Sequence, residues 1–396
     1  MDEQRAPARP ATAGLDRVVA LARRHLGTDL AYVSAFDDGA QRFTSVAGDG
    51  TAFGIEPGGE RPLAGTICAR MVDDASLRVV PDVRADARLR DLPGAAGAGA
   101  YVGVPVTLPD GRRYGTFCCL SREPDPTLTE RDARFLALLA ELAVSEVEAL
   151  ERRAAAKATI RRLLDAEHVT ALQPIVSLED GRCVGVEALS RFPEPGAAPD
   201  VVFAQAHAVG LGAELERRSL ASAVRLLPAV APDQFLAVNL APSVAATLAS
   251  WPEDVPLRRL VLEITEHDAV ESYAALRAAL EPLRERGARI AIDDAGAGFA
   301  SLHHIVELSP DIVKIDRALV HGVAHDPVRR SVVTSFVLLG VELGAVVLAE
   351  GVENEEDVGV LRRLGVRAAQ GYVFAKPSTD PVDHRRWSAR SLSAVG

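Results

Sequence analysis

Polar side chains end a series of short apolar runs in the second half of the chain. They are Glu187, Asn239, Glu263, the pair Asp293-Asp294, Lys314, Glu350 and Gln370. From Asn239 onward, successive members stand 20 to 36 residues apart, about the length of one strand and one helix. Because the carboxyl ends of successive strands meet at one rim of a (β/α)8 barrel, we expect these side chains to lie together.

Several carboxylates held together repel one another and need cations between them. Carboxylate oxygens and one asparagine carbonyl suit Mg²⁺ or Mn²⁺ rather than zinc, because no histidine or cysteine joins the set. The adjacent Asp293 and Asp294 allow one carboxylate to bridge two ions about 3.5–4 Å apart, the arrangement used in phosphoryl chemistry. The pattern therefore predicts a two-metal site.

Lys314 is one of only three lysines in a chain that has 44 lysines and arginines. Its compact ammonium has a shiftable pKa and can orient or deprotonate a water, whereas arginine cannot. The alternative is a structural ion pair with Asp316 or a rim carboxylate. Arg191 would clamp a phosphate if it faces the rim, and would otherwise form a surface salt bridge.

The elements that must position these residues follow from about residue 168. Short apolar runs such as Cys183–Leu189 and Leu260–Ile264 alternate with amphipathic stretches such as Tyr273–Arg286. This alternation over about 220 residues predicts a (β/α)8 barrel. A doubly wound open sheet is the second choice, since no glycine-rich phosphate loop follows an early strand.

The first part of the chain has a different texture. Residues 1–13 are rich in Ala, Pro and Arg, and we expect a disordered tail. A helical pattern from Leu15 and several short β-like runs predict a small α+β domain over 14–126. Thr127-Leu-Thr-Glu130 has capping-box spacing and begins a helix that we expect to run over 127–165. This helix either caps the domain and links it to the barrel, or pairs with a second copy and transmits a signal. We expect the barrel over 166–388, followed by a tail at 389–396.

Composition narrows the functional classes. The chain has 396 residues, 48% hydrophobic and 25% charged, which suggests two or three globular domains. Its net charge of −11 argues against a broad grip on nucleic acid. Without an apolar stretch of about 18 residues or a signal peptide, we expect a cytoplasmic protein with no membrane insertion. The four cysteines, Cys68, Cys118, Cys119 and Cys183, are too scattered for a disulfide scaffold or a zinc site.

The motifs at the strand ends resemble those of the EAL-domain phosphodiesterases over about residues 158–388. They are Gln173-Pro-Ile, Glu187-Ala-Leu-Ser-Arg191, Asn239-Leu, Glu263-Ile-Thr-Glu266, Asp293-Asp294, Lys314-Ile-Asp316, Ala349-Glu-Gly-Val-Glu353 and Gln370-Gly-Tyr-Val-Phe-Ala-Lys-Pro377. The resemblance implies a modified barrel that hydrolyses cyclic di-GMP to linear pGpG with two Mg²⁺ or Mn²⁺ ions.

The resemblance also implies roles for individual residues. The first ion would be held by Glu187, Asn239, Glu263 and Asp293. Asp293 would bridge to the second ion, completed by Asp294 and Glu350. The catalytic residues would be Lys314, which acts on the water, with Glu350 and Glu187. Substrate would contact Gln173, Arg191 and Gln370, and Glu266 would brace the loop after Asp294.

That loop departs from the family pattern, Asp-Asp-Phe-Gly-Thr-Gly-Tyr-Ser-Ser-Leu. Here 293–302 reads Asp-Asp-Ala-Gly-Ala-Gly-Phe-Ala-Ser-Leu, so Gly296 and Gly298 remain while Ala295 replaces an aromatic. We expect activity, and cyclic di-GMP binding without hydrolysis is the alternative. An enolate-forming barrel enzyme with Lys314 as base is disfavoured by Arg191 and the paired aspartates. No segment resembles a GGDEF-type cyclase.

The N-terminal domain resembles a GAF domain. The matching stretches are Cys68-Ala-Arg-Met-Val, Leu77-Arg-Val-Val-Pro-Asp82, Tyr101-Val-Gly-Val-Pro-Val106 and Asp110-Gly-Arg-Arg-Tyr-Gly-Thr-Phe-Cys118. Such domains sense small molecules or dimerise, so we expect a regulated homodimer, with the GAF ligand unknown. Cys68 is either a chromophore or redox thiol or a buried structural cysteine. Cys118 and Cys119, neighbours on a predicted strand, should face opposite sides and pack in the core.

Overall fold

The computed structural model describes residues 12–192, 198–245, 255–265, 270, 272–296, 300–380, 383–384 and 386–387. The chain divides into two compact units, Met1–Ala155 and Ala156–Gly396. Among the helices of the described ranges, none combines the length and apolar character that a membrane span requires.

The first unit is built on a six-stranded antiparallel sheet with the order β3-β2-β1-β6-β5-β4. Its strands are β1 (Leu30–Asp37), β2 (Ala40–Gly48), β3 (Glu60–Pro62), β4 (Val79–Val80), β5 (Ala100–Thr107) and β6 (Arg113–Ser121). Helix α1 (Ala13–Leu26) and the start of α3 (Glu130–Asp165) cover one face, and α2 (Ile67–Asp73) covers the other. The alternation of β6 divides Cys119 from Cys118 between the two cores, as predicted.

Helix α3 is 36 residues long and confirms the long unbroken helix. The predicted start at Thr127 is wrong. The backbone N–H and hydroxyl of Thr127 both donate to Asp125, which holds Thr127 in the preceding turn. The backbone N–H and hydroxyl of Thr129 donate instead to the Asp132 carboxylate, at 2.8 and 3.0 Å. The helix therefore begins at Glu130, and the Asp132 carboxylate in its first turn accepts from the residue before it, as one half of a capping box does.

The second unit is a closed barrel of eight strands. They are β7 (Val169–Ser177), β8 (Cys183–Arg191), β9 (Phe235–Asn239), β10 (Leu260–Ile264), β11 (Arg289–Ala295), β12 (Ile312–Ile315), β13 (Val346–Ala349) and β14 (Ala368–Ala369). Strand β7 runs antiparallel to both of its neighbours, β8 and β14, and the other neighbouring strands are parallel. The modified (β/α)8 barrel is confirmed, and closure of the sheet excludes the doubly wound alternative.

From β8 onward, helices on the outside of the barrel separate successive strands. They are α4 (Pro199–Ala208), α5 (Gly212–Val224), α6 (Pro242–Ala245), α7 (Tyr273–Glu285), α8 (Ala300–Leu308), α9 (Arg317–Val320), α10 (Pro327–Leu343) and α11 (Glu355–Leu364). Their apolar faces and the outward side chains of the strands form the largest core of the unit. Helix α10 begins at an aspartate cap, Asp326, whose carboxylate accepts from the backbone N–H groups of Val328 and Arg329.

A layer of apolar side chains fills the barrel interior below one rim. It consists of Ile175, Ala237, Val261, Ala291, Ile312, Leu348 and Ala368. Because strand side chains alternate, the residue two positions closer to the rim also points inward. Those positions are Gln173, Asn239, Glu263, Asp293, Lys314, Glu350 and Gln370, and Glu187 holds the same place above Gly185. The polar strand ends thus form one layer.

Candidate active site

The ammonium of Lys314 lies at the centre of the polar layer. Its Nζ is 2.6 Å from Glu350 Oε1, 2.8 Å from Asp293 Oδ1 and 2.9 Å from Glu263 Oε1. Glu187 Oε1 is 3.6 Å away. The lysine is 1% exposed, so its ammonium is screened from water. One ammonium offsets only one of four carboxylate charges, and the cluster therefore carries an excess of negative charge.

Burial and the excess of negative charge shift the pKa values of the side chains in this cluster. Burial, and then repulsion from neighbouring carboxylates, raises the pKa of Glu263 well above its ordinary 4.5 despite the opposing pull of Lys314. The pKa of Glu350 is raised in the same way, by burial first and then by Asp293. Burial opposes the charge of Lys314, but the four carboxylates raise its pKa well above 10.5. The site therefore favours bound protons or other cations.

Two groups of acidic side chains have the spacing of a metal-ligand set. One oxygen each of Glu187, Glu263 and Asp293 lie within 4.8 Å of one another, and the same holds for Asp293, Asp294 and Glu350. Asp293 belongs to both groups. Glu263 Oε2 is fully buried and accepts no hydrogen bond from any described residue, and a buried carboxylate oxygen of this kind suits a cation.

The backbone at Asp294 explains how two adjacent aspartates reach the same site. Successive strand residues ordinarily point to opposite faces. Asp294 has a φ of +54°, and the pairing of β11 with β12 shifts register between Ile292 and Ala295. Aspartate tolerates this left-handed conformation better than most residues. The irregularity turns the Asp294 carboxylate toward Asp293 and Glu350.

Asn239 ends β9 at the rim and is solvent-exposed. The parallel pairing of β9 with β10 sets it directly beside Glu263. Its amide oxygen can therefore add a neutral ligand beside a carboxylate ligand.

Two buried glutamines support Glu187 from the neighbouring strands. The amide nitrogen of Gln370 donates to Glu187 Oε2 at 2.5 Å and to Gln173 Oε1 at 2.9 Å. The amide nitrogen of Gln173 donates to the backbone oxygen of Ala375 at 3.0 Å. This network holds the Glu187 carboxylate in position, a role that the sequence analysis did not assign to either glutamine.

Arg191 lies at the end of β8 on the same face as Glu187 and is half-buried. Its guanidinium donates to the backbone oxygen of Ser190 at 2.9 Å, and within the described ranges it forms no ion pair with a carboxylate. Ala295 is buried at the end of β11. Glu266 and Gly298 lie outside the described residues.

The sequence analysis assigned no role to Gly371, which follows Gln370. A Cβ at this position would lie 2.0 Å from the backbone oxygen of Val352. The backbone N–H of Val352 donates to Gln370 O at 3.0 Å, and the N–H of Val373 donates to Val352 O at 3.1 Å. The segments after Glu350 and Gln370 are thus in direct backbone contact. In the sequence, Gly351 directly follows Glu350 and Gly371 directly follows Gln370. These two glycines were the signal from which the contact could have been predicted.

Comparison with known proteins agrees with this geometry. Residues 143–377 match the family model described as EAL domain, and residues 9–148 match the one described as GAF domain. The chain is 33% identical over 233 residues to the probable cyclic di-GMP phosphodiesterase PdeD of Escherichia coli, covering 55% of this chain and 43% of PdeD. It is 32% identical over 234 residues to the cyclic di-GMP phosphodiesterase RocR of Pseudomonas aeruginosa, covering 55% of this chain and 59% of RocR.

A solved structure of the PaMucR phosphodiesterase in complex with c-di-GMP is 31% identical to the chain, with a TM-score of 0.50. The match covers 56% of this chain and 96% of that one. The chain thus spans about half the length of the curated relatives that it matches. It covers nearly all of the PaMucR phosphodiesterase chain.

Proposed function

The chain belongs to the EAL domain family, and from this premise we propose that its barrel hydrolyses cyclic di-GMP to linear pGpG. One observation carries the proposal: two groups of carboxylates share Asp293 beside the buried ammonium of Lys314. The substrate is supported by the two relatives named as cyclic di-GMP phosphodiesterases and by the PaMucR phosphodiesterase complex with c-di-GMP.

Two divalent cations, Mg²⁺ or Mn²⁺, are the proposed cofactors. The donors at the rim fit them, because every candidate ligand is an oxygen, negative charge is in excess and Glu263 Oε2 has no donor among the described residues. The residues that would hold the first ion are Glu187, Asn239, Glu263 and Asp293, and those for the second are Asp293, Asp294 and Glu350. When bound, the pair supplies Lewis-acid activation of the phosphodiester and of a water.

Lys314 is proposed to orient the attacking water and to accept its proton. The four carboxylates raise the pKa of Lys314 so far that the ammonium keeps its proton and cannot accept one from water. If cations shared those carboxylates, the ammonium would lose part of its stabilisation, and its pKa would fall toward the range in which it exchanges protons with water. Glu350 and Glu187, 2.6 and 3.6 Å from Nζ, fix its position.

The proposed substrate contacts come from Arg191, Gln173 and Gln370. Arg191 forms no ion pair with a carboxylate in the described part of the chain, so its guanidinium has donors available for a phosphate. The two glutamine side chains lie in the same layer as the carboxylates. Glu266 would brace the loop after Asp294.

Turnover of cyclic di-GMP by the full chain tests this proposal. We expect conversion to pGpG when Mn²⁺ or Mg²⁺ is added and none when the metal is chelated. Glu187→Gln should lower turnover by at least roughly 10- to 100-fold, the range found for groups that support a metal site. Glu179→Gln is the matched control, because Glu179 lies in the turn between β7 and β8, and it should retain full activity. Binding without turnover in the wild type would favour the receptor alternative raised by Ala295.

The N-terminal domain is proposed to regulate the barrel. Residues 9–148 match the GAF domain model, and α3 continues from this unit into the second one. A homodimeric state is part of the same proposal. The cytoplasmic location stays a prediction.

A further inference from the structure

Two cysteine side chains from distant parts of the first unit are in contact in the core between α2 and the sheet. The Sγ atoms of Cys68, on α2, and Cys118, on β6, are 3.4 Å apart. Cys68 is 1% exposed and Cys118 is fully buried. A disulfide requires the sulfurs to approach to about 2.05 Å, which is roughly 1.4 Å closer. We propose that Cys68 and Cys118 form an oxidisable thiol pair that hydrogen peroxide converts to an intramolecular disulfide.

Polar groups around the pair support a thiolate at one sulfur. The hydroxyl of Tyr32 lies 3.1 Å from Cys68 Sγ, and the hydroxyl of Tyr101 lies 3.2 Å from Cys118 Sγ. Burial opposes ionisation of Cys68, but hydrogen bonds from Cys118, Tyr32 and more distant polar groups lower its pKa to about 6. Burial and the hydrogen bond with Cys68 raise the pKa of Cys118 well above 9.0. Cys68 is therefore the nucleophile and Cys118 the resolving thiol.

The other two cysteines lack this environment. Burial raises the pKa of both Cys119 and Cys183 to about 12. Cys119 belongs to the core on the opposite face of the sheet from Cys118. These two thiols serve as internal controls within the same chain.

A narrow cavity reaches Cys68. Its lining includes Gln41, Arg61, Thr66 and Cys68, and its volume is about 10 Å³. That volume is close to the minimum for one water molecule. Hydrogen peroxide is only slightly larger than a water molecule, whereas a glutathione-sized disulfide is many times larger than this cavity. The cavity therefore selects small oxidants.

The chemistry balances with one peroxide per pair. The Cys68 thiolate attacks one peroxide oxygen, the O–O bond breaks, and a sulfenic acid forms at Cys68. The second oxygen leaves as hydroxide, which becomes water by taking up the proton that the Cys68 thiol released on ionisation. Cys118 sulfur then attacks Cys68 sulfur, the S–O bond breaks, and the hydroxide leaves with the Cys118 proton as a second water. Two electrons pass from the two sulfurs to the peroxide.

Thiol counting and peptide mapping on the reduced full-length wild type test the proposal. A slight excess of hydrogen peroxide should reduce the titratable thiols from the four free cysteines to the two controls. Mass spectrometry should find a peptide containing Cys68 linked to one containing Cys118 and Cys119, with fragmentation assigning the link to Cys118. At pH 7 a thiol of pKa about 6 is about 30-fold more ionised than free cysteine, so the rate should reach half its maximum near pH 6.

Variants separate the pair from ordinary buried cysteines. Cys119→Ser should keep the disulfide, Cys68→Ser should abolish it, and Cys118→Ser should leave a Cys68 sulfenic acid that dimedone traps. Because a core variant can fail to fold, the wild-type map alone is decisive. Four intact thiols after peroxide treatment of the folded protein would overturn the proposal, and so would thiol loss without the Cys68–Cys118 link.

Discussion

The chemistry of the barrel depends on how four carboxylates share one buried ammonium. Lys314 Nζ lies within 2.6–3.6 Å of carboxylate oxygens on four different strands or strand ends. A compact ammonium fits this space, whereas the planar guanidinium of arginine is larger and always charged. Burial, and then repulsion from neighbouring carboxylates, raises the pKa values of Glu263 and Glu350, so loss of protons and gain of metal are coupled.

Lys314→Arg tests whether the site requires a compact cation that can gain and lose a proton. We expect turnover of cyclic di-GMP to fall by about 10²–10⁴-fold, the usual contribution of a general acid–base group, although the formal charge is kept. Steady-state assays with Mn²⁺ would measure the change. Lys157→Arg, on α3, is the matched control and should leave turnover unaltered. Wild-type rates in Lys314→Arg would contradict a proton-transfer role.

The raised carboxyl pKa values predict how metal-free stability depends on pH. The folded state binds protons at Glu263 and Glu350 more tightly than the unfolded chain, in which glutamate has a pKa near 4.5. The stability from these protons is complete below about pH 4.5 and is lost as the pH rises through the raised values.

Melting temperatures with and without metal between pH 5 and 8 check this sign. The stabilisation by Mg²⁺ or Mn²⁺ should increase as the pH rises, because metal replaces protons that the carboxyls have lost. Glu263→Gln should flatten the pH dependence of the metal-free protein. An increase in the stability of the metal-free protein between pH 5 and 8 would show that Glu263 and Glu350 are not desolvated as described.

At the scale of elements, strand phase and backbone contacts position the site. The apolar interior layer lies two residues below each rim residue, so the alternation of each strand delivers its polar end inward. The register shift in β11 and the left-handed Asp294 add the second aspartate. Beyond the strands, Gly371 allows the segment after Gln370 to contact the backbone at Val352.

Gly371→Ala tests this contact. The new Cβ would lie 2.0 Å from the Val352 carbonyl oxygen, so the two segments must separate, at a stability loss of about 1–3 kcal/mol, as for other overpacked sites. Displacement of Glu350 and Gln370 should also weaken turnover. Chemical denaturation and activity assays measure the two effects.

Gly359→Ala provides the comparison for the same substitution. Gly359 lies within α11, and its nearest neighbour to a new Cβ is Arg363 Nη1 at 3.5 Å. Alanine should therefore stabilise the helix by roughly 0.5–1 kcal/mol. Equal effects of the two substitutions would rule out the backbone contact as the cause.

At the scale of the whole molecule, two exposed apolar surfaces are candidates for the interface of the proposed homodimer. Leu138 and Leu142 stand one turn apart on α3 and are 62% and 59% exposed, the spacing of a helix-pairing seam. Helix α10 offers another apolar surface, with Leu338 at 62% and Val341 at 71% exposed. Pairing through α3 would also connect the proposed dimer to the proposed regulation by the N-terminal domain.

Charged substitutions on the two helices distinguish these surfaces. We expect light scattering of the full chain to give twice the monomer mass of 42.0 kDa. Leu138→Glu combined with Leu142→Glu should produce monomers, because paired charges at a helix seam repel. Leu338→Glu combined with Val341→Glu should leave the dimer intact. The opposite pattern would assign the interface to α10.

Local pattern predicted much of this protein. The spacing of polar strand ends anticipated the barrel and its rim residues, and the unbroken run after Thr129 anticipated α3. One strand of the barrel was missed from the pattern, because β7 contains Pro174, a residue that argues against a strand. This strand runs antiparallel to its neighbours. The start of α3 was misplaced because two threonines compete for the start of the helix. Asp125 holds Thr127 in the preceding turn, and Asp132 accepts from Thr129.

The sequence by itself determined which side chains end the strands, because alternation and strand–helix spacing are local properties. Only the tertiary structure decided their partners. Gln173 and Gln370 meet across 197 residues, Lys314 collects four carboxylates, Asp294 turns left-handed, and Cys68 contacts Cys118. Each depends on strand register and on closure of a sheet, which are set by packing between segments far apart in the chain. Such packing produces no periodic pattern in the sequence of any one segment.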